Sequence, residues 1–317
     1  MQGTLVTVFG ASGFIGRHIV RELAKRGARV NAVCRDVEKA KFLKPMGVVG
    51  QVTPMRADVT DPASMARAVN GASVVVNLVG ILYQSGRNTF DAVQSTAPGL
   101  IAKAAKEAGA TTMVQVSAIG ADAASASQYA RSKAAGEQAV REVFPQATIL
   151  RPSIVFGPND SFFNKFASMA QFSPALPLIG GGTTKFQPVY VDDVADAIMA
   201  SIEKPDAKGQ TYELGGPSVY TFRQLLEMVI RETNRKAWLV NLPFWAASIQ
   251  AAVLELLPTP PLTRDQVELL KHDNLVAKDA KTLSDLGIEP SSVEMIVPTY
   301  LDKFRPGGRY STGRQPA

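Results

Sequence analysis

Leu5-Val6-Thr7-Val8-Phe9-Gly10-Ala11-Ser12-Gly13-Phe14-Ile15-Gly16-Arg17-His18-Ile19-Val20-Arg21-Glu22-Leu23 is the stretch that decides the fold of this chain. Five strand-prone residues run into a turn with glycines three apart, and the turn runs into an amphipathic helix. Each glycine answers a separate physical need. Gly10 permits the tight turn, Gly13 removes a Cβ that would block a pyrophosphate, and Gly16 lets the helix pack close to the strand. A pyrophosphate would then rest on unpaired N–H groups at a helix N-terminus, where the helix dipole favours an anion. The competing reading is a glycine-rich turn without a ligand. The strand before and the helix after the turn favour the first βα unit of a dinucleotide-binding fold.

Outward from this unit the rhythm continues. Strands are expected at Ala28–Cys34, Gln51–Ala57, Ser73–Val79, Thr112–Val116 and Ala147–Leu150, with helices such as Ala97–Ala108 and Gln128–Val143 between them. Alternating βα units predict an α/β protein with a Rossmann-type, doubly wound parallel sheet. From about Gly157 the rhythm weakens, and Pro and Gly cluster at Pro174–Pro177 and Gly180–Gly182. A strand-to-helix unit returns at Val189–Asp193, whose carboxylates suit a helix start. Thr221 then caps a helix through Glu232. The expected organisation is a nucleotide-binding domain over 1–157 with 187–215 returning to it. A smaller mixed C-terminal lobe covers 158–186 and 216–305, and a tail covers 306–317.

Bulk properties narrow the function classes. The 317 residues suffice for a sizeable core, and a formal net charge of +6 is spread without a Lys/Arg block interleaved with aromatics. Nucleic acid is therefore a poor partner. The single cysteine, Cys34, excludes an internal disulfide and suits a reducing compartment. His18 and His272 stand far apart without companion ligands, so no metal site is expected. The first core strand starts at about Thr4, so no signal peptide is expected before it. Phe244–Leu257 is apolar for fourteen residues but includes Gln250 and Glu255. That is short of the roughly 20 residues that span a bilayer.

Several strand ends carry candidate ligands. Arg35 follows the second strand, where an acidic residue would bond two ribose hydroxyls and a guanidinium would instead pair with a 2′-phosphate. This favours NADP(H), with the neighbouring Asp36 as the opposing signal. Asp58 and Val59 follow the third strand, placed to meet an adenine ring. Leu78, Val79 and Gly80 close the fourth, and Gly80 allows close approach of a ligand. Tyr129 and Lys133 stand at i and i+4 on one helical face, where an ammonium lowers the phenol's pKa and can also hold a ribose. Such a pair alone is commonly a surface contact; behind a pyrophosphate loop it reads as a site.

The glycine turn, these strand ends and the Tyr129/Lys133 pair resemble the short-chain dehydrogenase/reductase superfamily in its extended or atypical branch. The resemblance implies a general acid/base at Tyr129, assistance from Lys133, and a substrate-orienting serine, for which Ser117 is best placed. Ala118 stands beside it where many active members have a second hydroxyl. Further stretches are similar to one subgroup, the NADPH-binding accessory subunit of respiratory complex I in an alphaproteobacterial form. They are Lys44–Gly47, Asn77–Gly80, Phe144–Ala147, Arg151–Gly157, Phe162–Met169, Gln187–Val194 and Leu262–Glu268. That subgroup implies NADPH held tightly for stability or assembly without clear turnover. Its grip would comprise Gly10, Ser12, Gly13, Phe14, Ile15, Gly16, Arg35, Asp58, Val59, Leu78, Val79, Gly80, Tyr129, Lys133, Pro152 and Val155. It also implies other complex I subunits as partners, on the hydrophilic arm near the membrane at the cytoplasmic face of a bacterial inner membrane, with contact to lipid headgroups.

Two sequence features bear on docking. Phe244–Leu257 reads either as a buried lobe helix or as a surface for a partner or a bilayer interface. Arg305, Arg309 and Arg314 read as a solvated tail or as contacts to acidic groups. Two further functions use the same cofactor grip. One is a free-standing NADP-dependent reductase or epimerase acting on a sugar nucleotide or quinone-like carbonyl. The other is a sensor that reports cofactor occupancy by changing partners.

Overall fold

β1 (Leu5–Phe9) buries Val6, Thr7, Val8 and Phe9 completely, as a strand covered on both faces must. Its one polar side chain is satisfied, with Thr7 Oγ1 donating to Ala68 O at 2.9 Å. The computed structural model describes residues 1–308. Arg309, Arg314 and the rest of 309–317 lie outside the described residues.

The chain continues with α1 (Phe14–Lys25), β2 (Arg29–Cys34), β3 (Val52–Arg56), α2 (Pro62–Val69), β4 (Val74–Asn77), α3 (Ala97–Glu107), β5 (Thr112–Val116), α4 (Gln128–Val143) and β6 (Thr148–Pro152). It next forms β7 (Val155–Phe156), α5 (Phe163–Phe172), β8 (Ala175–Ile179), β9 (Lys185–Phe186) and β10 (Val189–Tyr190), before α6 (Val191–Glu203) and β11 (Thr211–Leu214). One sheet of seven strands results, in the order β11-β6-β5-β4-β1-β2-β3, with every pairing parallel. This is the expected doubly wound α/β sheet.

Two compact units divide the chain. The first comprises Met1–Pro152, Val191–Leu214 and Ala277–Glu289. Its sheet is covered by helices whose inward faces are apolar, with Phe9, Met65, Ile101 and Met113 fully buried in one layer. Asp192, in the first turn of α6, accepts from His18 Nδ1 at 2.5 Å and from Arg21 Nη2 at 2.8 Å. His18 is thereby engaged by Asp192. Ala277–Glu289 has no strand pattern in its sequence, yet Glu213 N donates to Lys281 O at 2.8 Å.

The second unit comprises Ser153–Tyr190, Gly215–Val276 and the chain from Pro290. It contains β12 (Tyr220–Thr221), α7 (Phe222–Thr233), β13 (Trp238–Leu242), α8 (Phe244–Leu254) and α9 (Arg264–Leu269). Thr221 caps α7 through a reciprocal capping box with Gln224, which satisfies two otherwise orphaned N–H groups. The core is aromatic, with Phe156, Phe163, Phe186 and Phe222 buried around the partly buried Phe162 and Phe166. Asp160 organises one end: it accepts from the Phe162 and Asn164 N–H groups and from Tyr300 Oη at 2.7 Å. Burial, with Asp160 alongside, holds the Tyr300 phenol far above its ordinary range.

Candidate functional site

Strand order reverses between β1 and β4, and a parallel sheet leaves a crevice beyond the strand ends at such a point. A cleft of about 380 Å³ lies there, lined mainly by residues at and just after the ends of β1 to β4. Gly10 turns the chain with φ +78°, and a Cβ on it would lie 3.2 Å from the Leu78 carbonyl carbon. Gly13 begins α1 with no side chain capping it, so the first-turn N–H groups face outward unclaimed by a cap. A Cβ on Gly16 would come 2.3 Å from Gly10 O, so only glycine lets the helix sit this close behind the turn.

The far end of the cleft is cationic. Arg35 and Arg56 both line it, exposed, and neither forms an ion pair with a described residue. Parallel pairing of β2 with β3 sets Arg56 in register with Cys34, so strand geometry brings the two guanidinium-bearing residues to one edge. Asp36 turns toward Lys39, accepting from its N–H at 3.2 Å and pairing with its ammonium at 3.8 Å. Asp58 Oδ1 accepts from Thr60 Oγ1 at 2.7 Å and from Thr60 N at 2.9 Å. These bonds, with Arg87 and Arg56 nearby, hold its carboxyl below the usual range. Burial, aided by the charge of Asp36, pushes the Cys34 thiol up, so Cys34 is a small buried side chain and a poor nucleophile.

Gly80 joins the cleft to the Tyr129/Lys133 helix. A Cβ on Gly80 would stand 3.2 Å from Lys133 Nζ. The lysine is buried, no hydrogen bond links its ammonium to a described residue, and it lies 5.8 Å from the Tyr129 ring centroid. Burial lowers its pKa to about 8, opposed in part by Glu137. Glu137 is itself held by Arg151, Nε to Oε1 at 2.9 Å and Nη2 to Oε2 at 2.7 Å. Ser117 Oγ, just beyond β5, is buried and has no hydrogen-bond partner among the described residues. A buried hydroxyl without a partner is costly, so such groups commonly wait on a ligand or a water.

A π-helical turn at Asp91–Thr96 sets the height of this corner. Gln94, buried within it, accepts from Ile81 N at 2.8 Å and donates to Ser132 Oγ at 3.0 Å. Its carbonyl oxygen would lie 2.1 Å from a Cβ on Gly136, so α4 closes on the turn only because residue 136 is glycine.

The structure gathers Gly10, Ser12, Gly13, Arg35, Asp58, Val59, Leu78, Val79 and Gly80 around the cleft. Phe14, Ile15 and Gly16 form the first turn of α1 behind it. Ser117, Tyr129 and Lys133 do not line this cleft, although Lys133 touches its rim at Gly80. Pro152 ends β6 in the first unit, whereas Val155 belongs to the second, paired with Val189. Arg56, Thr60, Ile81 and Asn88 also line the cleft and were missed in the sequence. Arg56 had a usable signal, its place at the end of the third strand. A shallower depression of about 460 Å³ is lined by Asp193, Asp196, Glu203 and Glu289 beside Arg26 and Lys204. Its carboxylates suit no dinucleotide; burial and Glu22 even raise the Asp196 pKa.

Comparison with known proteins agrees with this geometry. Residues 6–215 match the NAD dependent epimerase/dehydratase family. The chain is 40% identical to NADH dehydrogenase (ubiquinone) 1 alpha subcomplex subunit 9, mitochondrial, of Arabidopsis thaliana, covering 97% of this chain and 80% of that protein. It is 38% identical to the Mus musculus protein of the same name, over 93% of this chain and 79% of the relative. Among solved structures, UDP-glucose 4-epimerase of Thermotoga maritima shares the fold with a TM-score of 0.72 at 18% identity, covering 95% and 98% of the two chains. The family and the cleft together support a nicotinamide nucleotide as the cofactor class. The chain belongs to the NAD dependent epimerase/dehydratase family, among the relatives of the complex I alpha subcomplex subunit 9.

Proposed function

We propose that this chain is an accessory subunit of respiratory complex I that holds NADPH as a structural cofactor without turning it over. Its place would be peripheral, at the cytoplasmic face of a bacterial inner membrane, against other complex I subunits on the hydrophilic arm. The observation that carries the assembly role is 38–40% identity to complex I subunits along nearly the whole chain. Among the described residues no helix is long and apolar enough to cross a membrane, which fits a peripheral position.

The preference for NADPH rests on Arg35 and Arg56 at the cleft edge, with Asp36 drawn off to Lys39. Two unpaired guanidinium groups suit a 2′-phosphate, and the carboxylate next to Arg35, that of Asp36, is engaged by Lys39. The diphosphate would rest on the N–H groups of the Gly10–Gly16 turn, and the Lys133 ammonium would donate to the second ribose. When bound, the cofactor supplies hydride chemistry; on this reading the chain uses its binding energy alone. Purification without added nucleotide, followed by denaturation, tests the cofactor. Release of NADPH in equal amount to the chain supports the reading, and release of NADH or of nothing overturns it.

The unpartnered Ser117 Oγ favours a second reading, a free-standing NADP-dependent reductase or epimerase acting on a sugar nucleotide or quinone-like carbonyl. Ser117 would then orient a substrate carbonyl and Tyr129 would pass it a proton, with Lys133 keeping the phenol acidic. An NADPH-consuming activity that Tyr129→Phe abolishes would establish this reading in place of the structural one.

A further inference from the structure

The helix α8 is inside out. Ala247 and Ala251 are its buried residues, while Trp245 (70% exposed), Ile249, Val253 and, just beyond its end, Leu256 (84% exposed) form an outward stripe. A helix placed to fill a core turns its large side chains inward. Here the anchoring is done by the two alanines and by the Phe244 ring, which occupies the space where Gly180 would carry a Cβ. Among the described residues the preceding strand β13 pairs only with β8, and it presents Trp238 (80% exposed) and Val240 outward as well.

The chain from Ala237 to Leu254 contains no charged residue. The approach to it is cationic, whereas α9, packed on α8, balances Arg264 and, just beyond its end, Lys271 against Asp265 and Glu268. Arg235 and Lys236 immediately precede it, and Arg235 Nε donates to Phe304 O at 2.9 Å, which brings Lys303 and Arg305 alongside. The first acid after the run, Glu255, is paired with Arg264 at 2.9 Å. An eleven-residue helix is about 16 Å long, too short to span a bilayer but suited to lying along its surface. Two exposed tryptophans beside a charge-free apolar stripe with a basic approach match the chemistry of an anionic membrane interface.

We infer that β13 and α8 form a membrane-binding face, with Trp238, Trp245, Ile249, Val253 and Leu256 entering the interface of an anionic bilayer. Arg235, Lys236, Lys303 and Arg305 meet its headgroups. This deepens the peripheral placement proposed above. Vesicles free of protein keep its failure distinct from failure of the assembly reading.

The test uses the chain's own probes, since Trp238 and Trp245 are its only tryptophans. The full chain is titrated with vesicles of phosphatidylglycerol and phosphatidylethanolamine, and with phosphatidylcholine alone. Emission should shift to the blue with the anionic vesicles, be quenched by brominated lipid, and revert as salt rises. Ile249→Ser combined with Val253→Ser should cut the vesicle-bound fraction about tenfold. Both positions are exposed, and an unchanged melting temperature would show that folding is intact. If that variant fails to fold, Lys236→Glu provides the second measure, with the same direction of effect. Absence of a shift with anionic vesicles, or undiminished binding by the folded variants, overturns the inference. A blue shift that follows protein concentration without lipid assigns the face to a second copy. A shift produced only by complex I protein assigns it to a protein partner. Either of these two results also overturns it.

Discussion

Lys133 Nζ stands 3.2 Å from the point a Cβ on Gly80 would occupy, so the strand-end glycine and the helix lysine share one small space. Gly80 does not have a left-handed φ, so alanine there meets side-chain crowding without backbone strain. Gly80→Ala should therefore displace the ammonium and weaken NADPH binding by roughly tenfold, with a stability change under about 1 kcal/mol. Calorimetric titration and thermal melting measure the two effects separately. Equal affinity in the variant would remove Lys133 from the proposed grip.

The charge on Lys133 sets a pH dependence. Burial places its folded pKa at about 8, below the ordinary lysine value of 10.5. Between those values the unfolded chain binds the proton and the folded chain does not, so this group's contribution to stability rises with pH across that window. Below pH 8 the folded protein carries the full cost of a buried ammonium. Lys133→Met should thus stabilise the cofactor-free protein most at neutral pH, and its advantage should shrink toward pH 10.5. Urea unfolding of both proteins at several pH values checks this. Cofactor affinity should fall as pH rises through 8 in the wild type.

Cofactor choice should reside in Arg35 and Arg56. Replacing both with alanine removes the charge-assisted bonds expected at a 2′-phosphate. Each such bond contributes about 1.5–3 kcal/mol, or roughly 10–100-fold in affinity. NADPH binding should weaken by at least that factor, while NADH binding stays nearly level. Parallel loss of both nucleotides would place the arginines elsewhere in the account.

Gly136 is a packing requirement. Its Cβ would collide with the carbonyl oxygen of Gln94 at 2.1 Å, a backbone atom that no rotamer change can move. Gly136→Ala should cost about 1–3 kcal/mol and loosen the π-helical turn that holds Gln94 against Ile81. Denaturant unfolding measures the loss, and amide exchange at Ile81 should accelerate with it.

The parallel sheet was legible because its strands are apolar runs bounded by turns, and Leu5–Phe9 and Thr112–Val116 have the expected limits. Gly10 and Gly16 were legible because a strand-turn-helix leaves few other uses for glycines three apart. Gly136 was not legible, since its neighbour Gln94 is remote in sequence and the π-helical turn that carries Gln94 has no local signature. Arg56 was legible as a strand end, but only the register of β2 with β3 shows that it shares an edge with Arg35. The composition of Phe244–Leu257 marked it as apolar, but only packing shows that its alanines face inward and its tryptophan outward. Val155 looked continuous with Arg151–Gly157, yet the boundary between the units falls after Pro152.

The central claim is that a dinucleotide cleft of this family serves as a permanent seat within respiratory complex I. A joint inventory of polypeptides and nucleotides in detergent-solubilised, purified complex I tests it most directly. The account predicts this chain in equal amount to the core subunits, with NADPH in equal amount to the chain. Recovery of the chain only as a free protein, absent from the purified complex, would contradict it.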